Sequence, residues 1–180
     1  MVGAFSIYAN KGVYNAPMMV TKIEDKYGNV LANFYPESRE VITENTAFLM
    51  ANLLQGVVDE GTGRRLRFRG GFKNQIGGKT GTTQNHSDGW FIGITPDLAG
   101  GVWVGAEDRS IHFQNLANGQ GASMALPIWA LFMQKVYADK SLAVPQSDFQ
   151  KPNGVNHVLD CGDADREGMT DYDSSDEIFD

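Results

Sequence analysis

The chain has 180 residues, enough for one packed domain or a large part of one. Its apolar share of 42 % excludes the disordered and fibrous classes, and a net charge of −7 with a pI near 4.9 argues against nucleic acid as a partner. The charge is uneven: nine of the 22 acidic residues fall between Asp160 and Asp180, where Arg166 is the one base, which leaves 13 acidic against 14 basic residues in the rest.

The first ten residues read as the end of an apolar helix, with Val2, Phe5 and Ala9 on one face and Gly12 in the position where helices often stop. A helix seldom starts without a preceding cap, so the chain is expected to begin inside a domain. Met18–Ile23 and Val30–Phe34 read as two short strands around a Tyr27-Gly28-Asn29 turn. Thr43 is a fitting N-cap for a helix from about Glu44 to Val58, whose apolar stripe is Ala47, Met50, Leu54 and Val57. Gly61-Thr62-Gly63 ends it, and Arg64, Arg65, Arg67 and Arg69 follow as a basic stretch, read as a solvated helix face.

Beyond Gly70-Gly71 the pattern turns to strands. Gln75–Thr83, Gly89–Thr95 and Gly101–Ala106 are joined by short links, which favours an antiparallel meander. A last helix, Met124–Tyr137, carries Ile128, Trp129, Leu131, Phe132 and Val136 around most of its surface, so it is expected to be buried, with Pro127 in its first turn or at a kink. The expected class is a mixed α/β fold of the α+β type, an antiparallel sheet packed against helices. Two segments are expected: a body, 1–145, and an acidic tail, 146–180, too polar to offset the cost of ordering it and so disordered.

The lone cysteine, Cys161, cannot form an internal disulfide. No apolar run reaches the ~20 residues of a membrane helix, and the N-terminus lacks the features of a signal peptide. His86, His112 and His157 are scattered, and no grouping has metal-ligand spacing, so neither a metal nor a cofactor is expected. Trp90, Trp103 and Trp129 are read as core residues.

The informative segment is Gly77-Gly78-Lys79-Thr80-Gly81-Thr82-Thr83. A phosphate loop would need glycine where Lys73 stands, and Gly81 to Asn85 is poor material for the helix such a loop requires. The other chemistry is acyl transfer on a substrate that ends in a carboxylate. A lysine charge and threonine hydroxyls hold a carboxylate, glycine lets a backbone come close, and a backbone N–H on the same strand stabilises an oxyanion. Strand alternation puts Thr80 and Thr82 on one face and Lys79 on the other, so Lys79 must reach the site by its length or by strand twist.

Around this segment the order of motifs resembles class A penicillin-binding proteins over nearly all of residues 1–140. The resemblance rests on Met1 to Phe5 with Ala9 to Gly12, Gly56-Val57-Val58 with Gly61 to Arg65, and Gly78 to Thr83. It continues through Asp88-Gly89-Trp90-Phe91, Gly101 to Gly105 and Ala125 to Trp129. It implies the C-terminal part of a serine beta-lactamase/penicillin-binding transpeptidase-like domain, acting on D-alanyl-D-alanine stem peptides of peptidoglycan and bound by beta-lactam antibiotics. It also implies the bacterial cell envelope, at the periplasmic face of the inner membrane, with an anchor outside this chain. By the same resemblance Lys79, Thr80, Gly81 and Thr82 bind substrate, with Lys79 and the Thr82 backbone N–H in catalytic roles, the latter in the oxyanion hole. The family also needs Ser-x-x-Lys and Ser-x-Asn, and no serine here has lysine three residues on or asparagine two residues on. The chain alone is therefore expected to lack the nucleophile. A catalytically incomplete, non-enzymatic lobe and a fragment of a D,D-carboxypeptidase or beta-lactamase are the alternatives.

Overall fold

The computed structural model describes residues 1–155. Helix α1 (Val2–Ala9) closes where the Gly12 N–H donates to the Ile7 carbonyl at 2.8 Å, with Gly12 at φ 91°. A Cβ at Gly12 would run into the Ile42 carbonyl, so glycine is needed there twice over, for conformation and for space. Next come β1 (Val13–Asn15), β2 (Lys22–Glu24), β3 (Val30–Asn33) and β4 (Ser38–Glu40). Strands β2 and β3 pair antiparallel, as their turn chemistry implies: the Asp25 carboxylate accepts N–H bonds from Tyr27 and Asn29, and Gly28 takes φ 85°. The bond from the Asn29 side chain is the main cause holding the Asp25 carboxyl below its usual range. The first strand is shorter than expected, because Met18, Met19 and Val20 lie exposed outside any ladder. The β1–β4 pairing encloses this hairpin.

Helix α2 (Glu44–Asp59) starts as its cap predicts, with Thr43 Oγ1 accepting from the Thr46 N–H, and buries Ala47, Ala51, Leu54 and Val58. A short helix, α3 (Arg65–Phe68), precedes the meander β5 (Gly77–Thr82), β6 (Asp88–Ile94) and β7 (Ala99–Gly105), whose spatial order is β5-β6-β7. Both faces of this sheet are covered. Ile94, with Ala51 and Leu54 of α2 and Phe5 and Tyr8 of α1, forms one layer. Phe91 meets Trp129, Ala125 and Met133 of α5 (Gly121–Ala138) in the other. Helix α4 (Leu116–Gly119) leads into α5.

Three expectations about burial need correction. Helix α5 is not buried all round: Trp129 and Met133 are enclosed, whereas Ile128, Leu131 and Phe132 stand about half exposed on its outer side. Hydropathy counts apolar residues without saying how many layers cover them. Of the three tryptophans only Trp129 is core; Trp103 is 47 % exposed, with Nε1 donating to Asp88 Oδ1 at 3.0 Å. Pro127 lies in the second turn of α5, where it leaves the Ser123 carbonyl without its helical donor. The basic stretch is only partly solvated. Arg67 pairs with Asp59 and donates to the carbonyls of Phe72 and Asn74, and Arg65 reaches the Ala122 carbonyl and Ser123 Oγ.

Residues 146–155 form no helix or strand, yet they lie against the body. The Phe149 N–H donates to Gln75 Oε1 at 2.8 Å, the Phe149 ring joins the α1–α2 layer, and Val155 is buried. The packed residues thus run past the expected boundary at 145. The expectations for the rest of the acidic tail, including His157 and Cys161, lie outside the described residues.

Candidate active site

Strand β5 is an edge of the sheet, and its backbone geometry follows from one bond. The Thr83 N–H donates to the Asp88 carbonyl at 3.0 Å just beyond the Thr82↔Gly89 pair. Because hydrogen-bonded and non-bonded pairs alternate in an antiparallel ladder, Gly81 and Lys79 direct their N–H and C=O at β6. Thr82, Thr80 and Gly78 then direct theirs to the open edge. The Thr82 N–H therefore faces solvent on the outer side of β5.

The side chains sort as the alternation requires. Thr80 lies on the α5 face, across from Phe91, together with Thr82; Lys79 lies on the α2 face, across from Ile92. The lysine does not stay there. It bends over the open edge, and Nζ donates to the Thr80 carbonyl at 2.9 Å. The length of the side chain thus resolves the conflict that alternation alone creates. The expected residues come together: an ammonium, two hydroxyls and an outward N–H along four positions of one edge strand. Glycines make the strand fit. A Cβ at Gly78 would sit 2.7 Å from the Phe91 ring.

Three residues near this edge carry no role in the sequence reading. Thr62, in the turn after α2, places Oγ1 2.9 Å from Thr80 Oγ1. Gly121, the first residue of α5, donates its N–H to Thr82 Oγ1 at 3.0 Å. Asp88 ties the β5–β6 turn together: its N–H donates to Thr83 Oγ1, and its carboxylate accepts from Thr83 Oγ1 at 3.1 Å and from Trp103. That turn is tight, with Asn85 and His86 both at positive φ and His86 Nδ1 buried without a partner. Thr62 and Asp88 sit inside quoted motifs, Gly61-Thr62-Gly63 and Asp88-Gly89-Trp90, so the signal was present; the contact across 18 positions was not.

Gly121 has no room for a side chain. A Cβ there would collide with the carbonyl oxygens of Gly81 and Trp90, both backbone atoms that cannot swing away. Gly121→Ala should therefore push the start of α5 off the sheet and break the Thr82 bond, destabilising the fold by about 1–3 kcal/mol. Chemical denaturation checks this; a midpoint equal to wild type would show that the approach is loose.

Among the described residues no group of three or more His, Cys, Asp or Glu gathers as metal ligands, and no helix is long and apolar enough to cross a membrane. Residues 1–122 match the family described as penicillin binding protein transpeptidase domain. The chain belongs to this penicillin-binding transpeptidase family. It is 34 % identical over 152 residues to penicillin-binding protein 1A of Aquifex aeolicus, covering 84 % of this chain and 20 % of that protein. It is 32 % identical over 165 residues to penicillin-binding protein 2D of Bacillus subtilis, covering 88 % of this chain and 22 % of that one. Among solved structures, penicillin-binding protein 1A of Haemophilus influenzae superposes with a TM-score of 0.73 at 23 % identity, over 84 % of this chain and 27 % of that one. The imipenem acyl-enzyme complex of penicillin-binding protein A from M. tuberculosis superposes at 0.56 and 21 %, over 74 % and 29 %. The class A resemblance and the mixed antiparallel fold are borne out. The transpeptidase relatives are much longer: this chain spans about a fifth of the curated ones.

Proposed function

We propose that this chain supplies the carboxylate-binding strand of a peptidoglycan D,D-transpeptidase whose nucleophilic serine lies in a segment outside these 180 residues. The observation that carries the reading is the open edge of β5, where the Thr82 N–H, the Thr80 and Thr82 hydroxyls and the Lys79 ammonium lie within four residues. The hydroxyls and the ammonium suit the terminal carboxylate of a D-alanyl-D-alanine stem. The serine attacks the carbonyl between the two D-alanines, and the oxyanion that forms takes a hydrogen bond from the Thr82 N–H. The terminal D-alanine leaves with the proton, which gives an acyl-serine. An amine of a neighbouring stem then attacks the ester, forms the cross-linking amide and restores the serine. Penicillin, whose carboxylate and strained amide mimic the stem, acylates the same serine and stays. The setting for this chemistry is the outer face of a bacterial membrane, with any anchor outside the chain.

Without a serine in Ser-x-x-Lys context, the isolated chain should bind such ligands at most weakly and form no covalent adduct. Incubation with a fluorescent penicillin, followed by gel imaging and peptide mass spectrometry, tests this. The expected result is no label on the 180-residue chain and a labelled serine once it is joined to a Ser-x-x-Lys segment. A stable adduct on any serine of the isolated chain would overturn the reading.

A further inference from the structure

We infer that Thr62 is a positioning residue that turns the Thr80 hydroxyl hydrogen toward the substrate carboxylate; the inference rests on the carboxylate reading of β5. A threonine hydroxyl has one hydrogen to donate and two lone pairs to accept with. A carboxylate only accepts, so Thr80 and Thr82 serve it only if neither hydrogen is spent elsewhere. At Thr82 the fold arranges this: Oγ1 already accepts the Gly121 N–H, which leaves its hydrogen to the open site. At Thr80 the hydroxyl neighbour among the described residues is Thr62 Oγ1, at 2.9 Å. Since the bond can run either way, a carboxylate at β5 selects the direction in which Thr62 donates and Thr80 accepts. Both strand hydroxyls then present a hydrogen on the same side.

The turn that holds Thr62 is built for close seating. The Gly61 N–H donates to the Gly56 carbonyl at 3.1 Å and the Gly63 N–H to the Val57 carbonyl at 2.8 Å. A Cβ at Gly61 would lie 2.9 Å from the Val57 carbonyl oxygen, and one at Gly63 would lie 3.1 Å from it. The two glycines let the turn sit on the last turn of α2, and Thr62 between them projects to β5. This accounts for the Gly-Thr-Gly spacing in a way a plain helix stop does not, since one glycine would suffice to end α2.

The test uses the full 180-residue chain, isotope-labelled, titrated in amide NMR spectra with diacetyl-L-lysyl-D-alanyl-D-alanine and with the same peptide as its C-terminal amide. Wild type should prefer the acid. Thr62→Val should weaken acid binding about three- to tenfold, the range of one hydrogen bond, and leave binding of the amide unchanged. Thr62→Ser should behave as wild type. Thr62→Ala gives the same comparison without a branched side chain, and the dispersion of each spectrum reports that the variant is folded. Acid binding by Thr62→Val and Thr62→Ala equal to wild type would overturn the inference, as would an equal loss for acid and amide. A wild-type chain that does not distinguish acid from amide would remove the carboxylate site itself, and this outcome is read before any variant is compared.

Discussion

Trp129→Ala should lower the stability of the chain by about 3–5 kcal/mol, the cost of emptying a large buried aromatic site. The ring is 1 % exposed and forms the centre of the α5 layer. It meets Phe91 edge-on at 5.4 Å between centroids and Phe72 at 6.2 Å. On the sheet side it rests against Gly93 and Gly100, where a Cβ would press on the indole. No neighbour can move in to fill the space, because the glycines have nothing to extend and Phe91 is held by its strand. For a chain of this size the loss corresponds to a fall in melting temperature of about 6–20 °C. Thermal unfolding followed by circular dichroism gives the number, and a shift under about 2 °C would mean that the α5 layer is not the core of this fold.

Lys79→Ala, in a protein that joins these residues to a Ser-x-x-Lys segment, should slow acylation by a fluorescent penicillin about 30- to 1000-fold. That range follows from removing one charged contact of about 2–4 kcal/mol from the transition state. The ammonium crosses the open edge of β5 and donates to the Thr80 carbonyl, which puts its charge on the edge where the proposed carboxylate would lie. Lys73→Ala is the control. Lys73 is exposed and six residues away, and should change the rate little. Equal rates for Lys79→Ala and wild type would remove the role given to this strand.

Much of this was legible in the residues, for identifiable reasons. Local chemistry announces itself: Thr43 caps α2 as its type predicts, Asp25 and Gly28 make the β2–β3 turn, and short links make β5, β6 and β7 neighbours. The Lys-Thr-Gly segment is a weak signal by itself and became readable through the ordered motifs on either side of it. What sequence could not give were relations between distant residues. Thr62 and Thr80 meet because α2 ends beside β5, and no local pattern encodes that. The β1–β4 pair closes around the β2–β3 hairpin, so its partners are some 25 positions apart. Alternation put Lys79 on the face opposite Thr80 and Thr82, and it says nothing of where a long side chain goes; the Lys79 ammonium in fact reaches the Thr80 carbonyl. Composition, finally, treats Ile128 and Trp129 alike, though one faces out and the other in.

The other edge of the sheet has a practical consequence. Strand β7, seven residues long, pairs only with β6 among the described residues, and Val102, Trp103 and Val104 lie along it. An unpaired ladder row with aromatic and branched side chains is a template onto which another strand can add. Such addition is second order in protein. Dilution therefore suppresses strand addition between molecules while leaving β5, on the opposite edge, as it is.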